Sequence, residues 1–378
     1  METLKIAHFA WESLYSEKVG GLASAATCLA ESLAARHEVH YFTRGNKPDE
    51  EINGVQYHYV HPCGDNIVEY CRRMSHMAER RFHEFDRPRF DILHFHDWHF
   101  VEALHLLKDR HTVLTFHSTE WGRNGNRHGD WWEFREISGK EWYGAYIAGR
   151  CTAVSETLRR EVMALYNVPD WKIAVVRNGV NPERFYAEVD AGDVKRSYGI
   201  HPLAPLVFYA GRLSVQKGPD LLLAAVPEIL RHRWDARFLF AGGGDMYHSL
   251  QRKAKRLPVS LLGHIPDAEF VRLLNASDIV VIPSRNEPFG LILPEAWSAS
   301  RCVVATDVGG LSENITHAVD GIKVSVHPKG IARGVISVID DASEVRALGR
   351  RGRENVDRRF RWDRIAGTAE AVYADVLV

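Results

Sequence analysis

In this 378-residue sequence, one loop carries two basic residues between glycines, and these side chains could bind a ligand. The sequence GRLSVQKG occupies positions 211–218, directly after the apolar run Leu206–Ala210. At the carboxyl end of that predicted strand, the guanidinium fork of Arg212 and the ammonium point charge of Lys217 could converge on one diphosphate. A solvated basic loop is the alternative. A glycine-rich loop at a matching place in the other half of the chain favours diphosphate binding.

Two carboxylates follow another apolar run. The sequence EPFGLILPE at 287–295 comes after the predicted strand Ile279–Ile282. Acidic groups at a loop and at the first turn of a helix suit hydrogen bonding to sugar or ribose hydroxyls, and the helix dipole favours them there. A solvated helix face is the alternative for Glu295, whereas Glu287 beside Phe289-Gly290 is harder to explain without a ligand.

Adjacent glycines follow the first predicted strand of the chain. Lys18-Val19-Gly20-Gly21 opens a predicted helix. Glycines allow close approach of the backbone to a phosphate, and a helix N-terminus offers unpaired N–H groups and a positive dipole. Because Gly-Gly also makes ordinary loops, this motif by itself leaves both interpretations open.

Histidines are concentrated at the ends of two predicted strands. The sequence HFHDWH at 94–99 ends one of them, and His117 follows the other, Thr112–Phe116. Neutral imidazoles are common zinc ligands, but the order differs from H-x-H-x-D-H of metallo-β-lactamase-like proteins and no downstream ligands complete a set. We therefore predict no metal site. Most of the 20 histidines are expected to be structural, while His117 could position a sugar hydroxyl near the reacting carbon.

Short apolar runs alternate with helical segments along the whole chain, which predicts α/β domains with parallel sheets. The Asn-Gly and Asn-Pro pairs at 178–182 mark a turn between two such series. We therefore predict an N-terminal domain over 1–177 and a C-terminal domain over 178–361, two Rossmann-like domains that face each other across a cleft. The amphipathic helix 362–378 is expected to return to the N-terminal domain. The sequence has no internal repeat and no low-complexity segment.

Composition excludes several other classes of protein. Lys and Arg number 48 against 49 Asp and Glu, so no basic excess points to nucleic acid. The five cysteines include no C-x-x-C, which argues against disulfides and zinc knuckles. No stretch approaches the ~20 apolar residues of a membrane span, and the N-terminus has no signal-peptide pattern. We expect a cytoplasmic protein.

Taken in order, these motifs resemble the retaining glycosyltransferases of family 4 and the neighbouring glycogen and starch synthases, which share the GT-B fold. The resemblance rests on motifs spread over nearly the whole chain: K-x-G-G-L at 18–22, H-D-W-H at 96–99, His117, V-S at 154–155, N-G-V at 178–180, G-R-x4-K-G at 211–218, E-x7-E at 287–295 and V-G-G-L at 308–311.

The resemblance implies a role for each basic or glycine position. Gly20 and Gly21 would lie against the diphosphate of a nucleotide-sugar donor, with Lys18 near the same loop. Arg212 and Lys217 would neutralise the diphosphate as it leaves, which is electrostatic stabilisation where charge develops.

The resemblance also implies which residues bind the sugar and the nucleoside. Glu287 would bind hydroxyls of the transferred sugar, and Glu295 the ribose. Backbone amides at Gly290 and Leu291 would hold the sugar or phosphate. His117 would contact the donor sugar and stabilise an oxocarbenium-like transition state.

The implied reaction is hexosyl transfer, with glucose as the expected sugar, from ADP- or UDP-sugar to a carbohydrate acceptor with retention of configuration. Front-face attack, in which the leaving phosphate takes the acceptor proton, needs no second carboxylate, no metal and no other cofactor. The sequence has no D-x-D motif. It leaves the donor base, the acceptor and the oligomeric state open.

The H-D-W-H and K-x-G-G-L details favour a glycogen-synthase-like enzyme. Ser24-Ala25 departs from bacterial glycogen synthases, which usually carry an acidic residue there, so a small-molecule or lipid-linked acceptor is the alternative. The segment 118–140 carries Trp121, Trp131 and Trp132 among polar residues, a composition suited to sugar rings. It is either an acceptor lid or a loop that packs its rings onto the domain. His96 and Asp97 are further acceptor candidates.

Other classes of enzyme fit the residues less well. A nucleotide-sugar epimerase shares the fold, but E-P-F-G-L argues against it. A pyridoxal-phosphate-dependent phosphorylase is much larger, and a metallohydrolase would need a metal. A carbohydrate-binding descendant without activity would be expected to have lost Arg212, Lys217 or Glu287, and all three are present.

Overall fold

The chain forms two compact units, which a computed structural model describes over residues 3–17 and 20–377. The first unit comprises the described residues of Met1–Gly179 and Trp362–Val378, and the second comprises Val180–Arg361. The division falls two residues beyond the predicted boundary at 177/178. All five cysteines are free.

The first unit is built on an eight-stranded sheet. Its strands are β1 (Lys5–Phe9), β2 (Glu38–Arg44), β3 (Glu50–Ile52), β4 (Val55–Val60), β5 (Ile92–His96), β6 (Thr112–Phe116), β7 (Arg150–Ala153) and β8 (Ile173–Val175). Their order is β3-β4-β2-β1-β5-β6-β7-β8. The short strand β3 pairs antiparallel with β4, and the other pairs are parallel. The order reverses between β1 and β5, the kind of switch point where ligands bind in open α/β sheets.

Burial on both faces explains why most of these strands are apolar. β1, β5 and β6 are buried at every residue. Histidines nevertheless stand inside two of them, at position 8 in β1 and at positions 94 and 96 in β5.

The helices of the first unit that precede residue 179 begin in different ways. They are α1 (Gly21–Ala34), α2 (Ile67–Phe85), α3 (Val101–Leu106), α4 (Glu120–Arg123), α5 (Trp132–Ile147) and α6 (Glu156–Tyr166), with 3₁₀ turns at Trp98–Phe100 and Asp170–Lys172. Three of these six helices, α2, α4 and α6, begin at a side-chain cap. The side chains of Asn66 and Ser155 accept hydrogen bonds from the N–H groups of Glu69 and Leu158, which caps α2 and α6. Helices α4 and α5 cover most of the Trp-rich segment 118–140.

The C-terminal helix, Trp362–Leu377, belongs to the core of the first unit. Ile365, Ala369 and Val372, which the periodicity places on one face, are buried beside residues of α1. Gly179 lies so close to Trp362 that an added Cβ would meet the indole at 2.6 Å. The chain thus leaves the first unit and returns to it at adjacent points.

The second unit has a six-stranded parallel sheet. Its strands are β9 (Leu206–Ala210), β10 (Arg237–Ala241), β11 (Val259–Gly263), β12 (Ile279–Ile282), β13 (Cys302–Thr306) and β14 (Ile322–Val324), in the order β11-β10-β9-β12-β13-β14. Its helices are α7 (Pro182–Phe185), α8 (Ala191–Ser197), α9 (Pro219–His232), α10 (Tyr247–Ala254), α11 (Asp267–Ala276), α12 (Ile292–Ser298), α13 (Gly309–Asn314), α14 (Pro328–Ile339) and α15 (Ala342–Arg359). The order reverses between β9 and β12, which makes this the switch point of the second sheet.

The predicted strands Thr112–Phe116, Leu206–Ala210 and Ile279–Ile282 agree with the structure at both ends. The strands β3 and β14 were not predicted, because their sequences, Glu-Glu-Ile and Ile-Lys-Val, do not form an apolar run. Over residues 3–17 and 20–377, no helix is long and apolar enough to cross a membrane.

Candidate active site

The loops after β9 and β12 meet at one edge of the second sheet because their strands are neighbours. Lys217 lies in the first loop and Glu287 in the second. The Lys217 Nζ lies 2.8 Å from Glu287 Oε1 and 2.7 Å from Oε2. The Ser284 hydroxyl donates to Oε2 at 2.9 Å. Glu287 is only 4% exposed, so its charge is balanced mainly by Lys217.

Glycines allow the close backbone contacts that this arrangement requires. Gly218 has a φ of +65°, and an added Cβ there would lie 2.1 Å from the Pro283 carbonyl oxygen. Gly309 has a φ of +50°, and its Cβ would lie 2.1 Å from the Glu287 carbonyl oxygen. The Gly310 N–H donates to that same oxygen at 2.9 Å. The V-G-G-L motif thus fixes the backbone of Glu287, a role that sequence reasoning did not assign.

A second ion pair, also missed from the sequence, holds the two loops together. The guanidinium of Arg285 donates to both carboxylate oxygens of Asp220 at 2.8 and 2.6 Å, and to the Val215 carbonyl at 2.8 Å. Although partial burial opposes ionisation, the hydrogen bonds and charge of Arg285 hold the pKa of Asp220 below its usual value. This fork positions the loop on which Lys217 lies.

Arg212 differs from these paired cations. Its side chain is exposed and has no hydrogen bond or ion pair to any residue that the structure describes. The Tyr209 hydroxyl donates to its carbonyl oxygen at 2.8 Å, which anchors the backbone and leaves the guanidinium available. Arg212 thus lies on the same loop as Lys217, and no acidic side chain among the described residues pairs with it.

The remaining residues predicted in the second unit lie where β12 leads into α12. Gly290 is buried with a φ of +86°. Leu291 comes directly before α12, and Glu295 is half-buried in its first turn. These positions agree with the predicted loop and helix, and their contacts with a ligand remain predictions.

In the first unit, Gly20 precedes α1 and Gly21 begins it. The Gly20 N–H donates to the carboxylate of Glu12 at 2.9 Å, so this amide already has an anionic partner. Lys18, the other residue predicted at this loop, lies outside the described residues.

Three histidines form a hydrogen-bonded row across β1, β5 and the end of β6. His8 Nδ1 lies 3.0 Å from His96 Nε2, and His96 Nδ1 lies 3.0 Å from His117 Nε2. Burial lowers the pKa of His8 and of His117 to about 3. Burial likewise holds the pKa of His96 well below its usual value. The row is therefore uncharged near neutral pH.

Asp97 fixes the backbone at the end of this row. It has a φ of +56°, and its Oδ1 accepts the His117 N–H at 2.7 Å. Burial raises the pKa of Asp97 to about 6, against the charge of Arg123 and the backbone hydrogen bonds from His117 and Ser118.

His96 and Asp97 were predicted as acceptor contacts, and that role remains a prediction. His96 is 0% and Asp97 5% exposed, and the partners of His96 are two other imidazoles. Both residues orient His117 from inside the sheet because the parallel strands bury this edge.

The tryptophans of segment 118–140 differ from one another. Trp131 and Trp132 are 44% and 53% exposed, whereas Trp121 is half-buried. Trp131 packs edge-on against the buried ring of Phe134 at 5.3 Å. The exposed faces of Trp131 and Trp132 leave room for sugar stacking, and an acceptor role stays a prediction.

A second interpretation of the buried histidines is a metal site. His8, His94 and His96 each offer one ring nitrogen, and these three atoms lie within 4.8 Å of one another. However, His94 Nδ1 lies 2.7 Å from the Tyr373 hydroxyl, and His94 Nε2 lies 2.6 Å from Thr115 Oγ1. Both nitrogens of His94 thus have protein partners, and His8 and His96 bond to each other. These contacts explain the cluster as a hydrogen-bonded network.

Two parallel sheets with this strand order, and a last helix that returns to the first unit, define the GT-B class of α/β proteins. Sucrose-phosphate synthase from Thermosynechococcus elongatus has the same fold, with a TM-score of 0.82, 21% sequence identity and coverage of 98% of each chain.

The family is defined by sequence. Residues 19–184 match Glycosyltransferase Family 4, and residues 204–341 match Glycosyl transferases group 1. The chain is 34% identical over 387 residues to an uncharacterised glycosyltransferase of Methanocaldococcus jannaschii, and the match covers 98% of each. It is 29% identical over 390 residues to the glycogen synthase of Mycobacterium tuberculosis, covering 94% of this chain and 91% of that protein. The chain belongs to glycosyltransferase family 4, close to the glycogen and starch synthases.

Proposed function

We propose that this chain transfers a hexosyl group, glucose in the first instance, from a nucleoside diphosphate sugar to a carbohydrate acceptor with retention of configuration. The observation that carries the proposal is the Lys217–Glu287 pair at the switch point of the second sheet. Arg212, on the same loop as Lys217, has no ion-pair partner among the described residues. A cation and a carboxylate held together suit a ligand that has a phosphate next to sugar hydroxyls.

The diphosphate binds first to Arg212, whose guanidinium has no competing anion among the described residues. An ammonium group has three N–H donors, and Glu287 occupies the direction of two of them. The third is available to a phosphate oxygen. Arg212 and Lys217 then stabilise the negative charge that develops as the diphosphate leaves.

Glu287 accepts hydrogen bonds from hydroxyls of the transferred sugar, and its contacts with the Lys217 Nζ hold the carboxylate in place. Glu295 binds the ribose, and the amides near Gly290 and Leu291 hold the sugar or a phosphate. His117 donates to the donor sugar.

Retention follows from attack on the face that the diphosphate leaves. The anomeric C–O bond breaks towards the diphosphate, the acceptor oxygen forms the new bond on that same face, and a phosphate oxygen takes the acceptor's proton. Arg212 and Lys217 take the electrostatic role that a divalent cation plays in other transferases, so no metal or organic cofactor is required.

The test is transfer from a panel of nucleotide sugars, with and without EDTA, to glucan and small-molecule acceptors. EDTA-insensitive transfer from ADP- or UDP-glucose to glucan, with an α-linked product from an α-linked donor by NMR, supports the proposal and identifies the donor. Transfer only to a small or lipid-linked acceptor keeps the proposed reaction but contradicts glucan as the acceptor. Inverted configuration, or dependence on a divalent metal, contradicts the proposed mechanism.

A further inference from the structure

The histidine row has a buried end and an accessible end, and this asymmetry determines where its protons lie. At the buried end, His8 is 0% exposed, and its Nε2 has no hydrogen-bond partner among the residues that the structure describes. At the other end, residue His117 is half-buried, and the one hydrogen bond of its ring to the described residues is that of Nε2 with His96. His96 lies between them with both nitrogens engaged.

Only two proton arrangements satisfy both hydrogen bonds of a neutral row, because each neutral imidazole has one N–H and one lone pair. In the first, every ring carries its proton on Nδ1: His8 donates to His96, and His96 donates to His117. In the second, every ring carries its proton on Nε2 and the donation runs the other way.

The two arrangements differ in what they leave at the buried end. The second places an N–H of His8 in a dry core with no acceptor, whereas the first leaves only an unused lone pair there. Buried donors without acceptors are the rarer defect in proteins. The first arrangement also puts the unused N–H on His117 Nδ1, which water or a ligand can reach.

We propose that His8 and His96 are positioning residues that hold His117 as the neutral Nδ1–H tautomer, so that its ring presents a hydrogen-bond donor at the end of β6. Resting on the proposed function, this makes His117 a donor to an oxygen of the donor sugar. A ring in this state does not accept the acceptor's proton, which leaves that proton to the departing phosphate.

The direct test is NMR of the full chain labelled with ¹⁵N-histidine, in long-range ¹H–¹⁵N spectra that distinguish Nδ1–H, Nε2–H and imidazolium rings. Signals are assigned with the variants His8→Asn, His96→Asn and His117→Asn, and the exposed His111→Gln is the control. We expect the Nδ1–H form for all three rings of the row near neutral pH. An Nε2–H or imidazolium form of His117 overturns the proposal, as does stoichiometric metal in the purified protein.

Variants separate positioning from a merely structural role. Asn at position 96 retains an amide donor near the place of Nδ1, whereas Phe removes it and keeps the ring volume. We expect His96→Phe to lower kcat about 10- to 100-fold, taking as a guide the range for residues that orient metal-ligating histidines, with little change in KM for the donor. His96→Asn should recover most of that loss. Equal loss in both variants, with folding intact by circular dichroism, contradicts the proposal.

The two proposals fail in different ways. If the chain has no transferase activity but His117 is the Nδ1–H tautomer, the proposed function fails and the tautomer assignment stands. If the chain is active with His117 in another state, the assignment fails alone.

Discussion

The two units have the same kind of switch point, yet polar groups fill it in different ways. Between β1 and β5 of the first unit, imidazoles lie inside the strands, buried, uncharged and bonded to one another. Between β9 and β12 of the second unit, the strands are apolar and the loops after them carry the charges, paired in Lys217–Glu287 and exposed in Arg212. A neutral polar group can be buried in a sheet if it makes a hydrogen bond there, whereas a charged group needs an opposite charge or contact with water. The first unit is thus suited to hold a donor group in one orientation, and the second to stabilise charge.

Removing the amine of Lys217 should have the largest effect, because the proposed function gives Lys217 a role in catalysis and the structure makes it the cation that pairs with the buried Glu287. Lys217→Ala is expected to lower kcat about 10²- to 10³-fold. It also leaves the buried Glu287 without its cation, which costs up to about 3 kcal/mol of unfolding free energy. Glucosyl transfer and urea unfolding measure the two effects.

The double variant Lys217→Ala/Glu287→Gln is the matched control for Lys217→Ala. It removes the uncompensated charge, so the stability should return while transfer stays low. A Lys217→Ala protein with normal turnover would contradict both roles.

Arg212→Ala should separate chemistry from stability, because the guanidinium is exposed and has no partner among the described residues. We expect kcat to fall about 10²- to 10³-fold, with the unfolding free energy changed by less than about 0.5 kcal/mol. Arg285→Ala is the comparison: it breaks the fork to Asp220 and should lower stability as well as activity. Equal stability losses in the two variants would show that Arg212 is structural.

Acid should weaken the first unit more than the second. Burial depresses the pKa of His8 and His117 from 6.5 to about 3 in the folded state, so below pH 6.5 the unfolded chain binds more protons. Stability present above that pH is lost as the pH falls towards about 3, by about 1.4 kcal/mol per pH unit for each such group. Asp97, whose pKa is raised to about 6, contributes stability as the pH falls, but it is a single group against the buried histidines of the row.

Urea unfolding of the full chain at neutral pH and at steps down to about pH 4 measures this dependence. Hydrogen exchange assigns each transition to a unit. We expect the transition of the first unit to shift most, and the shift to shrink in His8→Phe. A larger shift in the second unit would contradict the comparison.

The smallest expected effect concerns the acceptor. Trp131→Ala and Trp132→Ala should each weaken glucan binding by about 0.5–1.5 kcal/mol, the value of one aromatic stacking contact, which raises KM for glucan about two- to twelvefold. Donor hydrolysis and stability should not change. Trp142→Ala is the control, since Trp142 is 50% exposed on the same helix α5. A KM increase in Trp142→Ala alone would place the acceptor elsewhere.

Much of the fold was predictable because the buried parallel strands are apolar and alternate with helical segments. The same pattern placed Arg212, Lys217 and Glu287 at strand ends, and His117 after β6. The three-residue strands β3 and β14 were not predictable, since pairing with longer neighbours decides their conformation.

The sequence by itself determined the order of the elements, the family and the chemical types at each strand end, because these depend on local composition and spacing. Only the tertiary structure decided which side chains meet. His8 and His96 are 88 residues apart, and Lys217 and Glu287 are 70 apart. Each pair forms because strand order in the sheet, rather than position in the chain, sets the neighbours at a switch point. The sequence alone shows His8 as a polar residue inside an apolar strand. Its partner His96 follows from the pairing of β1 with β5, and its lowered pKa follows from burial, and neither can be read from local sequence.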